Sequence, residues 1–391
     1  MTPGVYEVVI AGGGPAGCAA AIALARAGRC VLLLEKRRYP AHRLCGEFLS
    51  VEAAGLFERL GVGEAVQRCR PHPIHAARLV AADGASVRLA LPGTALGLSR
   101  YALDALLLDR ARAAGAAVRD GVAATGITGG LDGGFRVMTT AGPVRARVVL
   151  GAWGRRSRLD ARLGRAFLRA NHPYVAFKAH FEGVMPGGIV ELHAFPGGYC
   201  GLSRVEGGRV NACWIARDTV LRAAGGRPDD MIRHTFGPQA MLAARFAALR
   251  RITPYEAVAQ VSVAPREPFA GDVCLLGDAA GMIAPLCGDG MAMALQSGLM
   301  AADLLPAFLD GSVTAEAFRQ AYAAAWRRTF GARMRLGRLL HHGLTSPFAP
   351  VSAGLYVLRR LPGLGDWLVR KTRGAPSAGP VTPGWRGAAG P

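Results

Sequence analysis

The sequence predicts an α/β protein: a parallel-type sheet domain written in several pieces, a mostly antiparallel sheet inserted into it, and helices closing the chain. Three observations carry this prediction. An apolar run, Val8-Val9-Ile10, breaks at Gly12-Gly13-Gly14-Pro15-Ala16-Gly17 into an alanine-rich helical segment, and a second run, Val31-Leu32-Leu33-Leu34, ends at Glu35. Short apolar runs joined by a helix read as parallel strands buried on both faces. From about residue 167 to 256 the period changes to two, with Val175, Phe177, Ala179 and Phe181 on one face and Tyr174, Lys178 and His180 on the other. That alternation belongs to a sheet of antiparallel type. Parallel-type character then returns at Val273-Cys274-Leu275-Leu276.

Each piece of the opening unit suits a dinucleotide. Gly12 permits the tight turn, Gly14 lets bare backbone approach a pyrophosphate, and Gly17 lets the helix pack closely on the strand. The helix start at Pro15-Ala16 offers unpaired N–H groups and a positive dipole end to phosphates. Glu35, eighteen residues past Gly17, stands with Lys36 at a strand end, where a carboxylate accepts hydrogen bonds from ribose hydroxyls. Residues 78–91 read as strands outside this domain. Ser99-Arg100-Tyr101 leads into a helix over 103–114, and 116–118 and 144–150 read as strands returning to it. After Gly311 the chain is helical to about Leu344, and a further helical piece covers 353–371. The expected division is 1–75, 99–165 and 257–310 for the nucleotide domain, 76–98 and 166–256 for the inserted sheet, 311–372 for C-terminal helices, and 373–391 for a Gly/Pro-rich disordered tail.

Composition narrows the classes. The 391 residues suffice for two or three cores. No segment reads as a membrane span or cleavable signal: the most apolar N-terminal stretch is broken by glycines and carries Arg26 and Arg29. Eight dispersed cysteines form no CxxC pair or metal-type cluster, so a reducing cytoplasm and no metal are expected. The formal charge of +20 comes from 47 basic residues, of which only Lys36, Lys178 and Lys371 are lysines, and the arginines are spread along the chain. Such scatter argues against nucleic acid, and favours by steering an anionic small-molecule substrate, a coenzyme A ester or an acidic carrier protein.

A second cofactor segment follows the late strand. Gly277-Asp278-Ala279-Ala280-Gly281 leads to Pro285-Leu286-Cys287-Gly288-Asp289-Gly290 and a helix beginning at Met291. Asp278, at a buried strand end, is placed to accept from sugar-alcohol hydroxyls. Gly288 and Gly290 allow close backbone approach, and the following helix N-terminus can face a group that becomes anionic on reduction. The glycine turn with Glu35, together with Gly277-Asp278, resembles the FAD-dependent oxidoreductases of the p-hydroxybenzoate hydroxylase and geranylgeranyl reductase superfamily, over roughly residues 5–310. The resemblance implies a Rossmann-like FAD-binding domain of the glutathione reductase type, with adenosine on the Gly12–Glu35 unit, Asp278 at the ribityl–pyrophosphate region, and Pro285, Gly288, Gly290 and Met291 near the flavin ring. It also implies a flavin-side arginine at Arg43, a Cys45-Gly46 pair of the reductase branch, and Arg100 near FAD. Phe195-Pro196 with Gly197, Gly198 and Gly201 is similar to the reductases' Phe-Pro…Gly segment, but shorter and without its tryptophan. Two features depart. Gly151-Ala152-Trp153-Gly154 carries Trp153 where the hydroxylases have an acid that organises FAD and NAD(P)H, and the halogenases' tryptophan motif is absent, Cys213-Trp214-Ile215 being the nearest segment.

Flavin chemistry needs little from the protein beyond position and electrostatics. The candidate catalytic residues are Glu47, Lys178 and His193: Lys178 shares a strand face with His180, and Glu191 shares one with His193. Either face could look at the flavin or at solvent. Cys45 reads as a small packing residue or a redox thiol. His341 and His342 share no helix face and read as surface residues. The leading expectation is a flavin monooxygenase acting on an apolar, acyl or polyketide-like molecule, with electrons from NAD(P)H or, as Trp153 suggests, a separate reductase. The alternatives are a reductase of C–C double bonds and a flavoprotein without turnover at a membrane surface. Peripheral membrane contact would use Arg327, Arg328, Arg333, Arg335 and Arg338, among Phe330, Met334, Leu336 and Leu339.

Overall fold

The computed structural model describes residues 5–346 and 350–374. Its first sheet is assembled from distant parts of the chain. Strand Val5–Ala11 lies parallel to Val31–Glu35 on one side and to Val144–Gly151 on the other. Val273–Leu275 extends the sheet beyond Val144–Gly151, and Ala117–Asp120 extends it beyond Val31–Glu35, both in parallel. Val8, Val9, Ile10, Leu32 and Leu33 are fully buried, as the continuous apolar runs require. A glycine-rich hairpin, Ala124–Gly130 with Gly134–Thr139, adds to this sheet where no strand was expected; its glycines hide the alternation.

Helix Pro15–Arg26 begins with proline at its first turn and ends against Gly28 at φ +75°. It packs on helix Gly290–Leu309, from the far end of the chain. A Cβ on Gly298 would stand 2.3 Å from the Ala16 carbonyl oxygen, so the two backbones meet only because that residue has no side chain. Contrary to the expectation of no spanning segment, Gly290–Leu309 is long and apolar enough to cross a bilayer. Here it is 78% buried within the fold, which is how a core helix passes the same test.

The second sheet runs in the order 249–251, 174–183, 210–217, 198–204, 188–195, 72–80, 86–97 and 48–49. Its pairs are antiparallel except Gly188–Phe195 on His72–Val80, which is parallel. Residues 218–247, placed within the inserted sheet domain with no element assigned, are helical: Asp218–Ala224, Pro228–Met231 and Ala240–Ala247. The reason lies in what they cover. Met231, Phe236, Leu242 and Phe246 pack with Phe177, Phe181 and Trp214 on the sheet face turned away from the first domain. Trp214 is buried, its ring 5.6 Å from that of Phe236 and 6.3 Å from that of Phe246. So both faces of strands 174–183, 198–204 and 210–217 are covered, while 72–80 and 86–97 keep one face partly exposed.

Helix Ala315–Thr345, capped by the Thr314 side chain, packs on Gly290–Leu309. The expected final helix is two, Val351–Arg360 and Pro362–Lys371, because Pro362 drives Leu361 out of helical geometry. The expected tail lies outside the described residues beyond Gly374.

Candidate active site

The glycine turn separates what the fold needs from what it leaves open. Gly12 adopts φ +121°, and a Cβ there would meet the Ala152 carbonyl oxygen at 2.3 Å; one on Gly17 would lie 1.9 Å from the Gly12 oxygen. Gly14 is different. Its φ of −74° suits any residue, and the nearest atom to an added Cβ is Arg100 Nη2 at 3.5 Å. Bare backbone at a helix N-terminus therefore faces open space beside a guanidinium. Arg100 is fixed there by two 2.6 Å bonds to the buried Asp104. Gly13 N donates to Glu35 Oε2 at 2.8 Å, which pins the acid at the end of its strand.

The late segment closes on the same place. Gly277 sits at φ +55° and donates its N–H to Ser297 Oγ, and a Cβ on it would be 3.2 Å from Ala16 Cβ. Asp278 is next, in the cavity wall. Burial pushes its carboxyl up, against the nearby Arg155, Arg266 and Arg100 charges, and among the described residues its backbone oxygen accepts from Arg266 Nη1 at 3.1 Å while its carboxylate accepts no hydrogen bond. Gly14, Pro15, Ala16, Arg100, Gly277, Asp278, Pro285, Gly288, Gly290 and Met291 line one cavity of about 300 Å³.

The second sheet supplies the opposite wall, mostly apolar: Leu79, Ala176, Val190, Leu192, Ile215 and Val258, with Tyr199, Ser203 and Cys213 among them. Ionisable groups gather at one corner. Glu47, fully buried and at φ +53°, is the residue whose backbone strain points its carboxylate back under the sheet. Its Oε1 lies 3.0 Å from Lys178 Nζ and accepts the Arg100 N–H at 2.9 Å; its Oε2 meets His180 Nε2 at 2.5 Å. Burial alone would raise the Glu47 carboxyl, but the His180 bond and the Lys178 and His180 charges outweigh it and hold it below the usual range. The His42 ring stands edge-on to His180 at 5.2 Å and tilts over Tyr101 at 4.8 Å, a ladder from the buried carboxylate to an exposed phenol. Cys45 and Gly46 border the cavity beside Glu47, with the Cys45 thiol pushed up by burial.

A turn bare at Gly14, a cation over it and a cavity-lining carboxylate, Asp278, from the far end of the chain suit one extended flavin dinucleotide, while Glu35, outside the cavity lining, holds the Gly13, Arg37 and Arg43 N–H groups. The FAD binding domain model matches residues 5–334. The chain belongs to that family. The flavoprotein is 28% identical to the menaquinone reductase of Mycolicibacterium smegmatis, over 94% of this chain and 95% of that one. It is 29% identical to digeranylgeranylglycerophospholipid reductase 2 of Methanopyrus kandleri, over 83% of each chain. Among solved structures, the flavin-dependent brominase Bmp2 superposes with a TM-score of 0.78 at 21% identity, covering 94% of this chain and 93% of the other, a likeness of fold. The protein is thus an FAD-dependent oxidoreductase.

Three expected positions change. Arg43 does not reach the ring side of the flavoprotein; it pairs with Glu35 Oε1 at 2.8 Å and with the Tyr39 hydroxyl, at the ribose end. Lys36 is exposed beside it and outside the cavity wall. His193 is on the far face of its strand: Val190 and Leu192 face the cavity, while His193 bonds Glu191, which also binds Arg245 through both oxygens and Arg78. This far-side cluster is structural. Burial raises the Glu191 carboxyl, but His193 and Arg245 bring it down to about 2 from 4.5. A carboxyl depressed in the fold stabilises above pH 4.5 and loses that contribution between about pH 4.5 and 2, here about 3 kcal/mol. Glu191→Gln is therefore expected to flatten the acid limb of a Tm-against-pH curve in that window; an unchanged limb would refute the assignment.

Sequence reasoning overlooked His180 as the partner of Glu47, and Arg155, which lines the cavity from the turn after Val144–Gly151. It also overlooked Asp289, which binds Ser50 and Arg333 beneath the late glycines. His341, expected at the surface, is buried between Tyr174 and Tyr199 and its ring is pushed down to about 4 by burial.

Proposed function

We propose that this flavoprotein is a reductase that saturates carbon–carbon double bonds in the isoprenoid chain of a lipid or quinone. The observation that carries the reading is the mostly apolar sheet wall with one buried acid–base group at its corner. An isoprenoid chain offers nothing to hydrogen-bond, so a site for it selects by burial and shape, at about 0.8 kcal/mol per buried CH₂. The names of the curated relatives point the same way.

Bound FAD supplies hydride chemistry. The chain's own residues do the rest. Gly14 and Arg100 would hold the pyrophosphate, Asp278 the sugar hydroxyls, and the N-terminus of Gly290–Leu309 would face the ring. Saturating a double bond consumes a proton as well as a hydride. That proton is held between Glu47 Oε2 and His180 Nε2, and Lys178 keeps the carboxylate oriented. The covered strands behind keep bulk water from the reacting chain.

The electron donor is a separate reductant, because Trp153 occupies the place of the hydroxylases' acid and spends its indole N–H on Asp160 Oδ1 at 3.1 Å. The test is anaerobic. Dithionite-reduced protein mixed with menaquinone or a geranylgeranylated phospholipid should return its flavin to the oxidised spectrum and yield a product two hydrogens heavier per double bond. NADPH alone should bleach the flavin at least about 100-fold more slowly than dithionite, a loss worth about 2.7 kcal/mol in the barrier. A product carrying an added oxygen atom, formed only in air, would return the protein to the hydroxylase reading.

A further inference from the structure

The two helices that end the described chain, Val351–Arg360 and Pro362–Lys371, each bury only one side. Leu355 and Val369 pack with Val87, Leu89 and Phe48 over strand Ser86–Gly97. The other side carries Tyr356, Val357, Leu361, Leu364 and Trp367, from 38% to 57% exposed. Ten large apolar residues are exposed among the described residues, and these five fall within residues 356–367, so this is a patch and not scatter. Charge accompanies it. Arg359, Arg360, Arg370 and Lys371 are exposed alongside, against the single acid Asp366 between residues 351 and 371. The Arg360 guanidinium lies over the Tyr356 ring at 4.9 Å, a cation held on an aromatic at the exposed surface.

We infer that this helix pair is an interfacial dock that lays the protein on an anionic lipid bilayer. Aromatic and leucine side chains among arginines are what an interfacial helix needs, apolar groups for the acyl boundary and cations for phosphate headgroups. A second copy of the chain is the poorer occupant, because a two-fold contact would set the same four cations against themselves. The helix Ala315–Thr345, whose arginines suggested membrane contact, does not serve: Phe330 is buried, and Arg333 is buried in an ion pair with Asp289.

The dock also touches the site. Directly after the second helix, Arg373 enters the cavity wall beside Cys287 and Gly288 and stacks on Phe48 at 5.2 Å, and the Gly374 N–H donates to Glu52. The surface that meets the bilayer is therefore continuous with one end of the cavity, which suits a substrate drawn from the membrane. That delivery step rests on the reductase reading above; the docking does not.

The test uses the full chain loaded with FAD and vesicles of phosphatidylcholine, alone or with about 30% phosphatidylglycerol, in co-sedimentation at low and physiological salt. Anionic vesicles are expected to bind at least about tenfold more tightly than neutral ones, with the preference shrinking as salt rises. Leu361→Asp/Trp367→Asp should weaken binding to anionic vesicles at least about tenfold while the flavin spectrum and Tm stay unchanged. Arg359→Gln/Arg360→Gln/Arg370→Gln/Lys371→Gln should abolish the preference for anionic lipid. No binding to anionic vesicles at low salt, wild-type binding by both variants, or a dimer in light scattering that Leu361→Asp/Trp367→Asp dissociates would each overturn the proposal. A protein that binds vesicles yet reduces no prenyl chain keeps the dock and loses only the reductase reading.

Discussion

Gly14→Val is expected to leave the polypeptide folded and empty it of flavin. At the neighbouring glycines an added Cβ runs into backbone, the Ala152 oxygen at 2.3 Å from Gly12 and the Gly12 oxygen at 1.9 Å from Gly17, so substitution there damages the turn itself. At Gly14 the backbone already has φ −74° and ψ −176°, which valine adopts freely, and an added Cβ meets only the Arg100 guanidinium at 3.5 Å. The side chain would instead fill the ground over the helix N-terminus where two phosphates must approach backbone N–H groups. A loss of at least about 100-fold in FAD affinity follows, about 2.7 kcal/mol. Flavin absorbance after desalting reads it, with thermal melts of the flavin-free proteins as the control. Gly17→Val, by contrast, should lower the flavin-free Tm itself. Equal flavin retention in Gly14→Val and wild type would remove the pyrophosphate from this turn.

Glu47→Gln is expected to keep FAD and lose turnover by about 10²–10⁴-fold, the range for deleting a positioned acid–base group. The amide cannot share a proton with His180 Nε2 as the carboxylate does, and it leaves Lys178 without its counter-charge 3.0 Å away. Breaking a buried pair in this way costs about 3–5 kcal/mol of stability, so a second variant is needed. His180→Gln keeps the Lys178–Glu47 pair and removes only the imidazole; it should be slowed by a similar factor at a smaller cost in Tm. His193→Gln lies across the sheet and should turn over within about twofold of wild type. Single-turnover reoxidation of the reduced flavin by substrate, without oxygen, measures all three. If the His193 variant were slow and the other two fast, the cavity would face the wrong side of the sheet.

That contrast marks how far the sequence could be read. The parallel strands and the glycine turn were legible because their signals are local: an apolar run, a glycine that cannot be replaced, an acid at the next strand end. Asp278 was legible too, since a buried strand that stops at Gly-Asp leaves the acid facing out of the sheet's end. The choice between the Lys178–His180 and Glu191–His193 faces was not. Alternation gives two faces and no hint of which one is covered by helices, and the covering segment 218–247 carried no assigned element within the sheet domain. Glu47 is 131 and 133 residues from its two partners, a pairing no spacing rule contains. Arg43 was assigned by resemblance to the ring side, but Glu35, eight residues away, offers the nearer carboxylate.

The place of strand Val144–Gly151 has a consequence for biosynthesis. Its edge away from strand Val5–Ala11 is held by Gly134–Thr139 over residues 144–146 and by Val273–Leu275 at Leu150 and Gly151, so until residue 275 has left the ribosome the far end of that edge has no neighbour and helix Pro15–Arg26 lacks the partner that Gly298 brings. A nascent chain of this kind carries an open strand edge while residues 152–275 are made, the kind of template on which other chains add. Truncation at an internal domain boundary therefore yields no independent flavin module, and expression conditions that slow elongation before that point work against a soluble product.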